Sequence, residues 1–515
     1  GPVLPVVLPL MAGALLLLME STRSKAVQRW VPWVSVAATF MLLALATLVV
    51  RQASGGEVQA YLVGNWPAPF GISLALDRLG ALMVLLTAAV ACAALVYALG
   101  GTAARGLHFH ALFQLQLMGL NGAFLTADLF NLFVFFEVLL AASYGLLLHG
   151  RGAGQRQRLQ AAVHYVTFNL AGSSLFLIAL GLLYGVTGTL NMADLAHKLP
   201  VLPPGDVRLA QVAALLLLTV FAVKAALLPL YFWLPDTYAA ASAPVGALFA
   251  IMTKVGVYAV LRVTTLVFGA EVAAPFLSLL ALATLALAAV GALAATRLRG
   301  LVAYLVVASA GTLLLAAGLG SEGTLAAGLF YLINSTLVAA AWFLLADRIA
   351  AARGGSDLLQ PRPLGGGWAL PGAAFFVAAV AVAGVPPLAG FMGKALLLQA
   401  AGPLPMGPWV VAGVLASSLA VMVALARAGS VIFWKSAQVG AAAPDASPAH
   451  ATALAGVLAT VLALAAAAGP ISAYTGAAAG QLLQRHGYIH AVLGARPAPA
   501  AWDVRKEMRE RGDAK

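Results

Sequence analysis

Long apolar segments recur along the whole chain and limit what it can fold into. A transmembrane helix needs about 20 consecutive apolar residues, and fourteen segments of roughly that length are present. They are apolar all round, without the alternating polarity of barrel strands. We therefore predict an all-α polytopic membrane protein with about fourteen transmembrane helices, near residues 3–20, 30–50, 76–99, 107–126, 128–148, 160–186, 208–232, 239–268, 272–295, 300–319, 323–347, 370–399, 408–434 and 450–474.

Composition supports a membrane protein and excludes several functions. Only 9% of the 515 residues are charged, whereas soluble domains carry about 25%. The single cysteine, Cys92, cannot supply a disulfide, an iron–sulfur cluster or a Cys-rich zinc site, so we expect no cofactor and no metal. The first apolar segment lacks a basic n-region and is expected to be a span rather than a signal peptide.

The basic residues predict the topology. One set of alternate loops carries fourteen Lys and Arg and the opposite set carries five, so the first set should be cytoplasmic. This distribution explains the net charge of +12 without nucleic acid as a partner. An even number of spans places the basic C-terminal tail on the outer side, which we expect to be an exception to the charge rule.

Two spans contain prolines that should break the helix. Pro229 interrupts span 7, and Pro386 with Pro387 interrupts span 12. Proline removes an intrahelical hydrogen bond, and transporters place such broken helices at corresponding positions of two repeats. The interval of five spans predicts inverted five-helix repeats. The chain would then divide into a three-span segment 1–100, repeats 101–268 and 269–434, span 14 at 435–475 and a basic tail 476–515.

Four charged residues lie inside the predicted spans, although charge in a lipid bilayer costs several kcal/mol. Satisfaction by a local carbonyl, or snorkelling of lysine to a headgroup, would explain each one singly. A buried lysine can instead exchange a proton near neutral pH, and a nearby carboxylate favours its charged form. The set therefore predicts a proton relay along the bundle centre, formed by Glu137, Lys224, Lys254 and Lys394.

Three further titratable residues lie near span ends. His164 in span 6 is a candidate for handing protons between the lysines and the cytoplasm, and an interfacial histidine is the competing interpretation. Asp128 and Asp236 have the position and chemistry of helix caps, for span 5 and span 8 respectively.

The stretch LLPLYFWLPDTYAAASAPVGALFAIMTKVGVYAVLR at 227–262 carries a family resemblance. Its W-L-P-D, A-P-V and K-V-G-V-Y elements resemble the antiporter-like membrane subunits of respiratory complex I, membrane-bound hydrogenases and Mrp-type cation/proton antiporters. The segment ADLFNLFVFFEVLLAASYGLLLHG looks most like the D subunit of the Mrp type. The resemblance implies that Glu137 pairs with Lys224, that Lys254 continues the relay, and that Lys394 ends it.

This chain departs from that family where relatives carry histidines between the last two lysines. Water held by Asn334, Ser335 and Thr336 would have to bridge Lys254 and Lys394 instead.

The resemblance implies a proton-translocating subunit of a multisubunit Na⁺/H⁺ antiporter in the plasma membrane, rather than an enzyme. Its partners would be the other antiporter subunits, the lipid bilayer, H⁺ and Na⁺, with K⁺ and Li⁺ as alternative cations. A proton-pumping subunit of a redox-driven complex, of the complex I or hydrogenase type, is the alternative. A scaffold that only retains the fold is a third, disfavoured because it has no use for costly buried charges.

Overall fold

The computed structural model describes residues 1–22, 24–150, 154–269, 274–364, 369–435 and 447–497, and almost all of its secondary structure is helical. In chain order the α-helices are α1 (Leu4–Ser21), α2 (Lys25–Gln28), α3 (Val31–Ser54), α4 (Arg78–Leu99), α5 (Phe109–Leu125), α6 (Leu129–Leu148), α7 (Gln155–Thr187), α8 (Met192–Lys198), α9 (Pro204–Ala225), α10 (Trp233–Ala240), α11 (Ala243–Arg262), α12 (Ala274–Ala294), α13 (Leu298–Leu319), α14 (Glu322–Ala352), α15 (Ala369–Ala383), α16 (Ala389–Ala401), α17 (Gly407–Gly429), α18 (Pro448–Ala466), α19 (Ala468–Leu483) and α20 (Arg485–Leu493). A short antiparallel pair, β1 (Gln59–Leu62) and β2 (Ser73–Leu76), precedes α4, with Gln59 opposite Leu76 and Leu62 opposite Ser73.

Twelve helices within the described residues are long and apolar enough to cross a membrane. The remaining two predicted spans are present as α5, which has 17 residues, and as the interrupted pair α15 and α16. The predicted all-α polytopic architecture is therefore confirmed. The division into a three-span segment and two inverted repeats stays a prediction.

The centre of the bundle is formed by α11 and α14, with α4 and α13 packed against them. Every residue of α11 is buried, and the most apolar stretch of α14 is buried throughout. Helices at the centre have no lipid-facing side, so they bury polar residues that peripheral helices would expose to hydrocarbon.

Both predicted helix breaks are present. The seventh span divides into α9 and α10 with Pro229 between them, and the twelfth divides into α15 and α16 with Pro386 and Pro387 between them. Inside a membrane, the backbone groups freed by such breaks need partners within the protein. At the first break, the Trp233 indole N–H donates to the Val223 carbonyl at 2.9 Å, and the Leu228 N–H donates to Thr284 Oγ1 at 2.9 Å.

The two predicted caps have different outcomes. Asp128 precedes α6 and accepts a hydrogen bond from the Asn131 N–H at 2.8 Å, which confirms the predicted cap of span 5. The predicted cap of span 8 by Asp236 is wrong. Asp236 lies in the first turn of α10, and Ser242 immediately precedes α11. The chain resumes a helix after the Pro229 break, which sequence periodicity alone did not reveal.

The strand pair marks one end of the bundle, which we call the hairpin end, and the loops containing Arg105, Arg297 and Arg353 mark the other, the arginine-rich end. Helix α20 packs against α8 and both strands. The described part of the C-terminal tail therefore lies at the hairpin end, as the even number of spans predicts. Residues 498–515 of the predicted basic tail lie outside the described residues.

A buried ion pair ties the hairpin end together. Asp77, which follows β2 and caps α4, accepts two hydrogen bonds from Arg262 at the end of α11, at 2.7 and 2.9 Å. Both side chains are only 3% exposed. The Arg262 guanidinium also lies 5.0 Å from the ring centre of Tyr488 in α20. This cluster fastens the central helix α11 to α4 and to the C-terminal segment.

Breaking one half of this pair should be costly. Arg262→Leu leaves the Asp77 carboxylate buried and uncompensated, which destabilises proteins by about 3–5 kcal/mol. We expect a clearly lower melting temperature for the detergent-solubilised protein. The double variant Asp77→Asn/Arg262→Leu should recover much of the loss, because asparagine retains the cap without a charge. Equal losses in the single and double variants would contradict this assignment.

The matched control is Arg297→Leu, which removes an arginine whose ion pair with Asp357 is 51% exposed on the arginine side. Asp357 itself is 12% exposed, but water reaches the arginine side of the pair and can replace the guanidinium there, so this variant should lose clearly less melting temperature than Arg262→Leu.

Asp128 should make stability depend on pH. Burial raises the pKa of Asp128 from 3.8 to about 6, so above that pKa the folded protein holds a carboxylate that the unfolded chain solvates better. Asp128→Asn should therefore stabilise by about 3 kcal/mol at pH 8, and by less than about 1 kcal/mol at pH 4, where the folded carboxyl is protonated and the unfolded one is only partly ionised. Melting temperatures at the two pH values measure this difference. An equal gain at both would indicate a capping effect instead.

Candidate functional site

The four charged residues predicted to form a relay lie on four helices of the bundle, of which α9 packs against α11, and α14 packs against both α11 and α16. Glu137 is in the middle of α6, Lys224 in the last turn of α9, Lys254 in the middle of α11, and Lys394 in the second turn of α16. Lys224 is 5% exposed and Lys254 is fully buried. Lys224 is in the last turn before the first helix break, and Lys394 is in the helix that follows the second break.

Glu137 and Lys224 each contact a side chain of α7. Ser173 donates a hydrogen bond to Glu137 Oε1, and Lys224 Nζ donates to Asn169 Oδ1 at 2.9 Å. Asn169 and Ser173 are four residues apart and share one face of the helix. No ion pair within 4.0 Å joins Glu137 and Lys224, both of which are described. One face of α7 therefore contacts both charged side chains.

Lys224 and Lys254 lie on helices that cross closely. A side chain at Gly256 would come within 2.7 Å of the Lys224 carbonyl carbon, so only glycine permits this approach of α11 to α9. Lys254 Nζ donates to Ser309 Oγ on α13 at 2.7 Å and to Thr253 Oγ1 at 3.3 Å. Two hydroxyl oxygens thus accept hydrogen bonds from an ammonium group that has no access to solvent.

Lys394 binds the end of the broken twelfth span. Its Nζ donates to the carbonyls of Val382 and Ala383, at 3.2 and 3.0 Å, and to Ser418 Oγ on α17 at 2.9 Å. The break leaves these carbonyls of α15 without intrahelical donors, and the C-terminal end of a helix carries partial negative charge. The break therefore supplies the oxygen atoms that hold this lysine.

None of the three lysines extends toward a lipid headgroup. Each ammonium group finds oxygen atoms inside the bundle, as the hydrogen bonds above show. Local satisfaction, the other structural interpretation, applies to all three. It does not explain why three lysines and a glutamate occur inside one helical bundle, where apolar residues would pack at lower cost.

The residues predicted to assist the relay lie elsewhere or bond locally. His164 is exposed on α7 and lines a groove of about 760 Å³ at the arginine-rich end with Asp236, Arg297 and Asp357. Ser335 and Thr336 donate to the Leu332 carbonyl of their own helix, at 3.3 and 2.7 Å. Asn334 Nδ2 approaches the Ala381 carbonyl at 3.5 Å, and its Oδ1 has no partner among the described residues.

Sequence reasoning missed the uncharged partners of the charged groups. Asn169, Ser173, Ser309 and Ser418 each contact one of the four charged side chains. Their only signal in the sequence is a polar residue within an apolar span. That signal is common to helix-packing positions, so it could not identify them without knowing which helices are neighbours.

Comparison with known proteins gives one family and several close relatives. The family described as NADH:quinone oxidoreductase/Mrp antiporter, transmembrane, matches residues 126–420. The D subunit of a probable K⁺/H⁺ antiporter of Rhizobium meliloti is 40% identical, with 96% of this chain and 97% of the relative covered. The D subunit of the Na⁺/H⁺ antiporter of Bacillus subtilis is 36% identical, with 84% and 86% covered.

A similar solved structure also comes from an Mrp-type complex. A chain of the Mrp complex from Dietzia sp. DQ12-45-1b superposes with a TM-score of 0.84 and 28% identity, with 96% of this chain and 99% of that chain covered. The matched family region contains all four charged residues of the site and both helix breaks. The chain belongs to the NADH:quinone oxidoreductase/Mrp antiporter family of transmembrane proteins.

Proposed function

We propose that this chain is the proton-translocating subunit of a multisubunit monovalent cation/proton antiporter, and that it is a secondary transporter component rather than an enzyme. The observation that carries the proposal is the set of charged groups inside the bundle, with Glu137 and Lys224 both hydrogen-bonded to α7, Lys254 on α11 and Lys394 on α16. The names of the two relatives, both antiporter subunits, support it.

The geometry suggests how a proton would be held and released. A lysine in a low-dielectric interior gives up its proton readily unless a negative group stabilises the charged form. Glu137 and Lys224 both contact α7, through Ser173 and Asn169 respectively, so a shift of α6 or α7 would change the distance between the two charges and the stabilisation of the ammonium group. Lys254 and Lys394 are held by hydroxyls and carbonyls, without a carboxylate hydrogen-bonded to either. Their charge would therefore respond to the state of the neighbouring lysine.

The transmembrane potential is large enough to drive exchange. One elementary charge that crosses 100 mV gains about 2.3 kcal/mol. An exchange that carries unequal numbers of H⁺ and monovalent cations would use this energy to extrude the cation.

The relatives point to two candidate cations. The relative from Rhizobium meliloti is named for K⁺ and that from Bacillus subtilis for Na⁺, so both ions are candidates. Their names as subunits, together with the solved Mrp complex, support function within a hetero-oligomer in the plasma membrane. Transport assays should accordingly use the whole complex.

A proton-pumping subunit of a redox-driven complex remains the second candidate, because the matched family includes NADH:quinone oxidoreductases. The relatives at 40% and 36% identity are both named as antiporter subunits, which favours the first. Affinity purification of the tagged chain from its native membrane separates the two. Small antiporter subunits should co-purify, whereas flavin or iron–sulfur absorbance in the purified complex would favour the redox-driven type.

Neutralising Glu137 or Lys224 should strongly reduce cation/proton exchange. In inverted membrane vesicles that contain the whole complex, Glu137→Gln and Lys224→Met should each lower cation-induced proton movement by about tenfold or more, since positioned acid–base groups contribute about 10²–10⁴-fold. A pH-sensitive dye, with Na⁺, K⁺ and Li⁺ added in turn, measures the exchange.

The matched control is Lys198→Met, a lysine at the hairpin end that pairs with Asp194 and is 39% exposed. It should exchange at the unmodified rate. Full exchange by both Glu137→Gln and Lys224→Met, at normal levels of assembled complex, would refute the proposed relay.

A further inference from the structure

We propose that protons pass between Lys254 and Lys394 through water held by the hydroxyl groups of Thr312 and Tyr331. The inference rests on the proposed function and deepens it. It assigns the connection to the interface of α13 and α14 with α17, and it replaces the expected bridge at Asn334, Ser335 and Thr336.

The route begins at Lys254. Its ammonium group donates to Ser309 Oγ at 2.7 Å, and Thr312 follows three residues later on the same face of α13. Both residues are about 3% exposed. Both also lie on a helix that packs against α17, where the residues around Lys394 are found. A polar face therefore leads from Lys254 toward Lys394.

A cavity of about 20 Å³ occupies the space between Thr312 and Lys394. Its polar lining consists of Thr312, Tyr331, Lys394, Ser417 and Ser418. A polar cavity above about 10–15 Å³ can hold a water molecule when it offers two to four hydrogen-bonding partners. The volume and the lining both meet this requirement.

The lining provides groups that both donate and accept. Serine, threonine and tyrosine hydroxyls each have one donor and two acceptor positions. A water in the cavity can accept a proton from one neighbour and release another of its own protons to the next, so no net charge accumulates on the hydroxyl groups. The excess proton leaves one lysine, and the deprotonated amine of the other receives a proton. No side chain between the two lysines has to titrate.

The remainder of the cavity wall is apolar, formed by Leu285, Leu305, Ala308, Val382, Val414 and Val421. These side chains confine water to the polar side. By contrast, Asn334, Ser335 and Thr336 do not line this cavity. Ser309 and Thr312 donate to carbonyls of their own helix, at 2.7 and 3.0 Å, as Ser335 and Thr336 do, but the oxygen of Thr312 faces the cavity and can accept from a water there.

Removing the two hydroxyls tests the route. In vesicles containing the whole complex, Tyr331→Phe and Thr312→Val should each slow cation-induced proton movement several-fold. The double variant should slow it by about tenfold or more, on the scale of lost proton-transfer groups. Tyr331→His should retain exchange, because an imidazole also donates and accepts. The ratio of rates in H₂O and D₂O should rise in the slowed variants, because proton hopping then limits the rate.

Two matched controls make the same chemical change elsewhere. Thr87→Val removes a buried hydroxyl of α4 that donates to its own helix at Met83, and Tyr304→Phe removes the phenol hydroxyl from a half-buried tyrosine of α13. Both should exchange at the unmodified rate with an unchanged isotope ratio. Complex assembly is measured for every variant by native gel, so that misfolding is recognised.

The outcomes separate this inference from the proposed function. If Lys254→Met and Lys394→Met abolish exchange while the double Tyr331→Phe/Thr312→Val variant exchanges normally, the route is wrong and the relay stands. If neither lysine variant impairs exchange, the proposed function itself is wrong. Equal loss in Tyr331→Phe and Tyr331→His, with an unchanged isotope ratio, would indicate a packing role and would also overturn the route.

Discussion

The cost of keeping an ammonium group away from water governs the interior of this protein. A charged side chain in a low-dielectric medium must find hydrogen-bonding oxygen atoms or lose its proton. Each of the three lysines solves the problem differently: Lys224 with a carboxamide, Lys254 with two hydroxyls, and Lys394 with two backbone carbonyls and a hydroxyl. All these hydrogen-bonding partners are neutral, and none of them is a permanent counter-ion. Groups held in this way are suited to exchanging protons, because neither protonation state is locked in place.

The helix breaks contribute to this balance. At the second break the freed carbonyls of α15 bind Lys394, so a local loss of helical hydrogen bonds creates a cation-binding position. At the first break, the Trp233 indole and the Thr284 hydroxyl pair with free backbone groups instead. Lys224, about one turn away, donates its hydrogen bond to Asn169. The two breaks therefore use their backbone groups differently. Lys224 and Lys394 consequently lie in different environments.

Rigid packing around α11 and α14 fixes these contacts. Gly256 lets α11 approach the backbone of α9, and a side chain there would collide with it. The Asp77–Arg262 pair holds the far end of α11 against α4. Because α11 is buried along its whole length, a displacement would disturb several neighbouring helices at once. The distance between Lys254 and Ser309 is thus set by the packing of the bundle and not by the flexibility of one side chain.

The sequence determined those features that depend on one segment at a time. Length and apolarity identified the membrane helices, because a span must be long enough to cross hydrocarbon and must satisfy its own backbone. Proline positions located both breaks, since proline lacks the N–H group that a continuous helix requires. The four charged residues stood out because charge inside a span is costly. Asp236 was misassigned, because its role depends on whether a helix resumes after Pro229.

Only the tertiary structure decided which side chains share the charged groups. Asn169, Ser173, Ser309, Thr312, Tyr331 and Ser418 are small or neutral residues in apolar segments, and no local pattern separates them from packing positions. Their roles arise because α7 crosses α6 and α9, and because α13, α14 and α17 surround one cavity. A hydrogen bond depends on distances of about 3 Å between atoms that are as many as 55 residues apart in the chain, as for Lys224 with Asn169 and Lys254 with Ser309. Such distances are set by helix packing, which one-dimensional periodicity does not encode.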